Sequence, residues 1–277
     1  MNQNISVIIP TYNRALTIKR AIDSVLNQTY PVLEILVCDD GSSDNTEKIV
    51  KSINDQRIKW LPSNNNSGHP SVPRNRGIKA AQGDWLAFLD SDDEWLSEKI
   101  EKQMADLLEK NLKAGSTNAW RMAPDGNHGF LLDWQLEKIT FGDLLTDNYV
   151  ITSSAIVHRD VINEINSFFP ESKKFKNSQD YAFWFLAAAV TDFAYLADGL
   201  VNYSDDPTNS HRRNNKISFH ITQKRVFKNF IKTLDGRNEF ENKIAVCRQA
   251  IGHLNRQIFN QQYNIIKNKI RNLIIEN

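Results

Sequence analysis

The sequence predicts an α/β fold with a mostly parallel central sheet, helices on its faces and a helical C-terminal extension. Three observations lead there. Apolar runs of strand length alternate with helix-spaced segments from Ile5 to Leu89. The runs are continuously apolar, as strands buried on both faces are. Polar clusters follow the ends of three of them, and in a parallel sheet those ends share one edge.

Ile5 to Ile9 reads as the first buried strand. Pro10 is expected to end it, since proline cannot donate within a central ladder. Thr11 to Arg14 is then a polar loop. Leu16, Ile18, Ala21, Ile22, Val25 and Leu26 fall at helical spacing. Glu34 to Cys38 is a second strand, ending in Asp39-Asp40-Gly41-Ser42-Ser43-Asp44. A helix carrying Ile49, Val50 and Ile53 follows, then a short strand from Ile58 to Leu61. Asn64 to Gly68 is a turn cluster, and Ile78 to Ala81 belong to a third helix closed by Gly83. Trp85 to Leu89 is the next strand, and it runs into Asp90-Ser91-Asp92-Asp93-Glu94. This β-α-β-α-β-α-β order is that of a parallel sheet covered on both faces.

After Glu94 the pattern loosens. Leu96 to Leu112 reads as a helix, and Ala114 to Ala123 contains a strand before the turn Pro124 to Asn127. Tyr149 to His158 reads as a strand and Asp160 opens a helix. Asp180 opens an aromatic-rich helix, and Phe193 to Leu196 is an expected edge strand. From Lys216 onward the chain is helical and polar-rich. Tyr263 to Ile275 mixes basic residues with Ile and Leu, the pattern of a helix packed on the domain, of a membrane-surface helix or of an oligomer contact.

Composition sets bounds. In 277 residues, 34 Lys+Arg stand against 33 Asp+Glu, so there is no basic excess of the kind nucleic-acid binding uses. Cys38 and Cys247 form neither a disulfide framework nor a metal motif. The polar start at Met1 is not a signal peptide. No apolar segment reaches the roughly 20 residues of a membrane span. These readings lead to a cytoplasmic protein, with peripheral association on the inner face of the cell membrane as an option.

The chemistry concentrates at the sheet edge. Asp90, Asp92 and Asp93 are hard oxygen donors without nearby thiols, which suits Mg²⁺ or Mn²⁺ bridging to substrate phosphates. A solvated acidic turn capping the next helix is the plainer alternative. No Gly-x-Gly-x-x-Gly follows the first strand and no Walker-type lysine loop is present, which disfavours dinucleotide oxidoreductases and P-loop NTPases.

Four segments in order carry a resemblance: Ser6 to Arg14, Val37 to Asp44, Asn66-Ser67-Gly68 with Arg74 to Gly77, and Phe88 to Asp93. Together they resemble the family 2 glycosyltransferases, enzymes of the GT-A fold that use nucleotide-diphospho-sugars. The resemblance is strong to about residue 110 and fades beyond Asp180. It implies a GT-A domain over 1–215, with a nucleotide-binding half at 1–110 and an acceptor and catalytic half at 111–215. Residues 216–277 are the helical extension.

The resemblance also implies roles. Pro10, Thr11, Tyr12 and Arg14 line the donor nucleotide, with Tyr12 placed to stack on the base. Asp40 holds the base edge, and Gly68 and Arg74 lie by the base or diphosphate. Asp90, Ser91 and Asp92 match the DxD motif, Asp92 holding the divalent ion with help from Asp90. Asp180 resembles the catalytic base, although the usual preceding Glu is Gln179 here. That residue type at a helix start is also a favoured N-cap. His211 is implied as a further metal ligand, and Arg212 or Arg213 as a phosphate partner. Trp120, Trp134 and Trp184 are candidates for an acceptor-sugar platform, with core packing as the alternative for each.

The function expected is an inverting, metal-dependent transfer of a hexosyl group from a nucleotide-diphospho-sugar, a UDP-sugar foremost. The acceptor is a hydroxyl of a glycan or lipid-linked saccharide in bacterial surface polysaccharide or lipo-oligosaccharide synthesis. Two alternatives stand beside it: a non-catalytic nucleotide-sugar or glycan-binding module, and a sugar nucleotidyltransferase. The second lacks its glycine-bearing loop here.

Overall fold

The apolar runs at the N-terminus become parallel strands in a computed structural model that describes residues 3–123, 128–133, 136–205 and 216–275. In order they are β1 (Ile5–Thr11), α1 (Ile18–Leu26), β2 (Glu34–Asp39), α2 (Thr46–Ser52), β3 (Ile58–Leu61), α3 (Ser71–Ala80) and β4 (Trp85–Phe88). β3, β2, β1 and β4 lie side by side, all parallel. Their C-terminal ends therefore share one edge.

β1 does not stop at Pro10. It continues to Thr11, with Pro10 opposite Cys38. Ile8 O accepts from Leu89 N, so Pro10, two residues on, turns its missing N–H to that same side. β4 has already ended at Phe88 there, and no ladder bond is lost.

The second half adds β5 (Glu94–Trp95), α4 (Lys99–Lys110), β6 (Ala114–Met122), β7 (His128–Phe130), β8 (Lys138–Ile139), α5 (Phe141–Leu144), β9 (Ile156–His158), α6 (Arg159–Ile165), α7 (Gln179–Ala187) and β10 (Phe193–Ser204). β9 is the antiparallel hinge of the sheet, pairing with both β4 and β6. The expected strand Tyr149 to His158 is thus shorter. Its middle is a 3₁₀ turn, Thr152–Ser154, whose hydroxyls face inward. Phe193 to Leu196 is not an edge strand. It opens the 12-residue β10, which runs parallel to β6 and also pairs with β5 and β8. Irregularities between Leu196 and Val201 let the strand pass its polar Ala197-Asp198 stretch.

One apolar layer packs α1 and α4 against the sheet, through Ile18, Ile22, Val25, Ile100, Met104 and Leu107. On the other face an aromatic group joins Phe88, Phe169, Phe183, Trp184 and Phe193 in edge and stacked contacts. Trp184 is fully buried there, with its indole N–H on Thr152. It is core, not a sugar platform. Trp134 lies outside the described residues.

The chain divides into two compact units, Met1–Ser210 and His211–Asn277. In the second, α8 (Lys216–Leu234) and α9 (Glu241–Ile275) pack as a helical hairpin. Val226, Phe227, Phe230 and Leu234 of α8 and Ile244, Cys247 and Leu254 of α9 are buried. No helix among the described residues is long and apolar enough to cross a membrane.

The close approach of α3 to the sheet depends on Gly77. A Cβ there would lie 2.6 Å from Ile8 Cγ2 and 2.8 Å from Cys38 Sγ. Gly77→Ala is expected to cost ~1–3 kcal/mol, the usual penalty of overpacking. A thermal melt followed by circular dichroism reads this, and an unchanged melting temperature contradicts the packing described.

Candidate functional site

Three strand ends build the candidate site. At the end of β2, Asp39 Oδ2 accepts from Gly41 N at 3.0 Å and Ser42 N at 2.9 Å. The carboxylate so closes a turn in which Gly41 has φ +80 and no room for a side chain against Asn65. Asp40 is buried, and its Oδ2 accepts from Ser67 N at 3.0 Å and Ser67 Oγ at 2.8 Å. Its Oδ1 is buried with no hydrogen-bond partner among the described residues. Gly68, with φ +66, follows Ser67 and turns the chain into α3.

At the end of β1, Thr11 is buried and its hydroxyl lacks a partner among the described residues. Tyr12 beside it is 42% exposed, a free aromatic face at the sheet edge. Asn13 takes a left-handed φ of 50 and accepts from Ser43 N. Arg14 then reaches across to Asp92, with Nη2 3.3 Å from Oδ2.

At the end of β4 the acids separate into different environments. Asp90 pairs with Arg74 and its backbone N donates to Ser153 Oγ at 3.1 Å. Ser91 is buried. The Asp92 side chain is 37% exposed, and its backbone O accepts from Arg20 at 2.7 Å. Burial and the neighbouring Asp90 push its carboxyl above the usual range. Asp93 is different. It is buried, takes hydrogen bonds from the Ser153 hydroxyl and from Ser204 N at 2.8 Å, and ties β4 to β10. Burial, then Asp92 and Asp90, push it well up. The sequence grouped Asp93 with the site acids; the structure makes it a tie within the fold.

Arg74 is the link between the strand ends and α7. It is almost fully buried. One guanidinium nitrogen bonds Asp90 and another donates to Gln179 Oε1 at 3.0 Å. Its plane also sits over Phe169, 5.6 Å from the ring centre. Asp180 lies one residue further, in the first turn of α7 behind the N-cap position Ser178. It is therefore not the N-cap that its residue type allowed. Asp180 Oδ2 accepts from Asn148 Nδ2 at 3.1 Å. Burial raises its carboxyl and Asp90 adds to that, while Arg74 opposes it.

Pro10, Thr11, Tyr12, Arg14, Asp40, Gly68, Arg74, Asp90, Ser91, Asp92 and Asp180 are thus held around one sheet edge. His211, Arg212 and Arg213 lie outside the described residues. Trp120 is 37% exposed and stacks on Phe130 at 4.4 Å, with Gly199 beneath the pair. Asn148, Ser153 and Arg20 were not singled out from sequence, and Ser67 was quoted there within the Asn66-Ser67-Gly68 segment without a role of its own. Thr152-Ser153-Ser154, a polar run inside an apolar strand pattern, was the visible signal for one of them.

Among the described residues no three His, Cys, Asp or Glu gather as a metal cage. Mg²⁺ and Mn²⁺ need less, commonly one or two carboxylates completed by substrate phosphates and water. Asp90 and Asp92 are two carboxylates at a strand end, each half open and each facing an arginine. That donor set fits such an ion.

Comparison with known proteins identifies the family and the fold. Residues 6–165 match the family model for glycosyl transferase family 2. The chain is 37% identical over 180 residues to the Escherichia coli UDP-Glc:alpha-D-GlcNAc-diphosphoundecaprenol beta-1,3-glucosyltransferase WfgD, covering 65% of this chain and 68% of that one. It is 32% identical over 182 residues to the putative teichuronic acid biosynthesis glycosyltransferase TuaG of Bacillus subtilis, covering 65% and 70%. Among solved structures, Staphylococcus aureus TarS residues 1–349 in complex with UDP-GlcNAc superposes with a TM-score of 0.69 at 24% identity, over 93% of this chain and 73% of that one. The fold is thus that of the GT-A glycosyltransferases, and the chain belongs to glycosyl transferase family 2. It is a glycosyltransferase.

The tie made by Asp93 has a measurable consequence. Asp93→Ala strands the Ser153 hydroxyl and the Ser204 N–H, and is expected to cost ~1–3 kcal/mol. Chemical denaturation measures it; an unchanged midpoint contradicts the role given to Asp93.

Proposed function

We propose that this enzyme transfers a hexosyl group, with inversion, from a UDP-sugar to a hydroxyl of a lipid-linked saccharide in bacterial surface polysaccharide synthesis. The observation that carries the proposal is the Arg74 bridge. It joins Asp90, at the acidic strand end, to Gln179, the neighbour of Asp180. The bridge keeps an acidic donor edge and a half-buried carboxylate base in one arrangement. The relatives support the substrate classes: WfgD is named for UDP-Glc and a diphosphoundecaprenol acceptor, and the TarS structure holds UDP-GlcNAc.

In this reading Tyr12 stacks on the uracil, and Asp40 Oδ1 accepts from the base edge. Pro10, Thr11, Arg14 and Gly68 wall the nucleotide. Ser91 faces the ribose. Asp92, with Asp90, holds a divalent ion. That ion, when bound, offsets the charge developing on the leaving diphosphate. His211 and Arg212 belong to the same proposal from sequence, as a further ligand and a phosphate partner.

Asp180 Oδ takes the proton of the acceptor hydroxyl as its oxygen bonds the anomeric carbon. The bond from that carbon to the diphosphate breaks on the opposite side, which inverts the centre. A carboxyl raised by burial is the stronger base. Asn148 holds it in place and, by donating to the carboxylate, opposes the rise.

Two expectations follow for the donor and the base. UDP-sugars with Mn²⁺ or Mg²⁺ should raise the melting temperature, since a ligand of the native state stabilises it by mass action. EDTA and Asp92→Ala should abolish the shift; a shift indifferent to both removes the metal from the proposal. Asp180→Asn should keep the shift and lose turnover about 10²–10⁴-fold. Turnover at the parent level excludes Asp180 as the base.

The pH profile adds a third expectation. The base works ionised, so kcat/KM should rise with pH through its raised pKa, above the ordinary carboxylate range. Asn148→Ala removes a donor to the charged form and should move that acid limb to higher pH. A limb that stays put or moves down contradicts the assignment.

A further inference from the structure

The strands beyond the acidic edge carry a feature that the donor and the base do not use. β10 pairs with β5 and β6, and β6 pairs with β7. Paired residues on neighbouring strands turn to one face, and successive residues alternate. Trp95, Val201 and Ala119 form one row across β5, β10 and β6, and all three are buried in the apolar core. The next row is therefore turned away from that core. It runs Glu94, Asn202, Trp120 and Phe130 across β5, β10, β6 and β7. Trp120 and Phe130 stack there, and Phe130 is 51% exposed. Gly199 lets the rings lie close on β10. A Cβ on it would stand 2.7 Å from Trp120 Nε1 and 2.9 Å from Phe130 Cε1.

The same row borders a cleft of about 260 Å³, lined by Arg20, Glu94, Met122, Ala123, Asn202 and Ser204. Its two charges cancel, because Arg20 pairs with Glu94 at 2.5 Å. Asn202 Nδ2 stands 3.5 Å from Glu94 Oε2. The amide oxygen of Asn202 and the hydroxyl of Ser204 have no hydrogen-bond partner among the described residues. The cleft also adjoins the acidic edge. Arg20 donates to Asp92 O at 2.7 Å, and Ser204 N donates to Asp93 Oδ1 at 2.8 Å. An exposed ring pair, an amide, a hydroxyl and a neutralised carboxylate thus open together next to Asp92.

We infer that this face is a saccharide subsite, which takes an uncharged sugar ring of the acceptor. A pyranose has a face of C–H groups and a rim of hydroxyls. The C–H face suits an exposed aromatic ring. Each hydroxyl both donates and accepts, and the Asn202 amide, the Ser204 hydroxyl and Glu94 between them offer both. A cleft whose charges cancel gives an anion such as a diphosphate no net attraction, so the ligand it suits is neutral. A second protein would need a broader apolar face than two rings and Met122 supply. The inference rests on the proposed transfer to a saccharide. It adds the surface that holds the acceptor, and it makes Trp120 and Asn202 determinants of acceptor choice rather than of donor binding.

Saturation-transfer NMR on the full chain tests this with the methyl α-glycosides of glucose, galactose, N-acetylglucosamine and N-acetylgalactosamine. At least one should receive transfer at its ring protons. Trp120→Ala should weaken its binding about tenfold, and Asn202→Ala should weaken it as well. Both variants should keep the rise in melting temperature that a UDP-sugar with Mn²⁺ produces. Should Trp120→Ala lower the melting temperature of the unliganded chain, Asn202→Ala, which leaves the ring pair in place, decides alone. No transfer to any of the four glycosides, with the donor shift intact, overturns the inference and leaves the proposed donor standing. Transfer that both variants retain at the parent affinity overturns it too. A glycoside that binds through Trp120 and Asn202 in a chain without any donor shift supports the subsite and contradicts the UDP-sugar proposal instead.

Discussion

The site depends on one buried cation. Arg74 is placed by α3, whose close packing on β1 and β2 is allowed by Gly77. A buried guanidinium is costly unless its charge and its donors are matched. Asp90 supplies the charge and Gln179 a second acceptor. The match is conditional on geometry: β4 must end where it does, and α7 must begin where it does. Arg74 so converts two independent features of the chain, an acidic strand end and a helix start, into one arrangement. Gln179 matters here because it is neutral. A glutamate in its place would compete with Asp90 for the same cation and add charge next to Asp180.

Charge is kept in separate compartments along the short run from Asp90 to Glu94. Asp90 has Arg74, Asp92 has Arg14, Glu94 has Arg20 at 2.5 Å, and Asp93 is buried under Ser153 and Ser204. Alternate residues of the run thus meet different partners. Without those partners the carboxylates would repel one another and disfavour their ionised forms. In the proposed function the forks of Arg14 and Arg74 matter again, since a guanidinium suits carboxylate and phosphate alike.

Much of this was legible in the sequence, and the part that was not has a physical reason. β1, β2 and β4 read clearly because a strand buried on both faces leaves an unbroken apolar run. The polar ends of those strands marked the edge where Tyr12, Asp40, Asp90 and Asp92 gather. β10 did not read as a central strand, because Ala197-Asp198-Gly199 breaks its apolar run and the bulges there hide its length. Asn148 and Ser153 were invisible because their importance comes from contacts 32 and 60 residues away in sequence. Lys99 shows the same limit. It is fully buried with its ammonium nitrogen 4.0 Å from the Trp95 ring centre, a contact no periodicity announces. Trp184 and Trp120 look alike in sequence, yet one fills the core and the other stacks at the surface.

The central claim is that Arg74 serves donor and base together. Arg74→Lys keeps the charge and loses the fork, so one partner must be released. Steady-state kinetics with a UDP-sugar donor tests this. The account predicts a rise in donor KM together with a fall in kcat, each about tenfold or more for a lost hydrogen bond to a charged group. A change in KM alone, with kcat at the parent value, would show that Arg74 serves only the donor and would contradict the bridge.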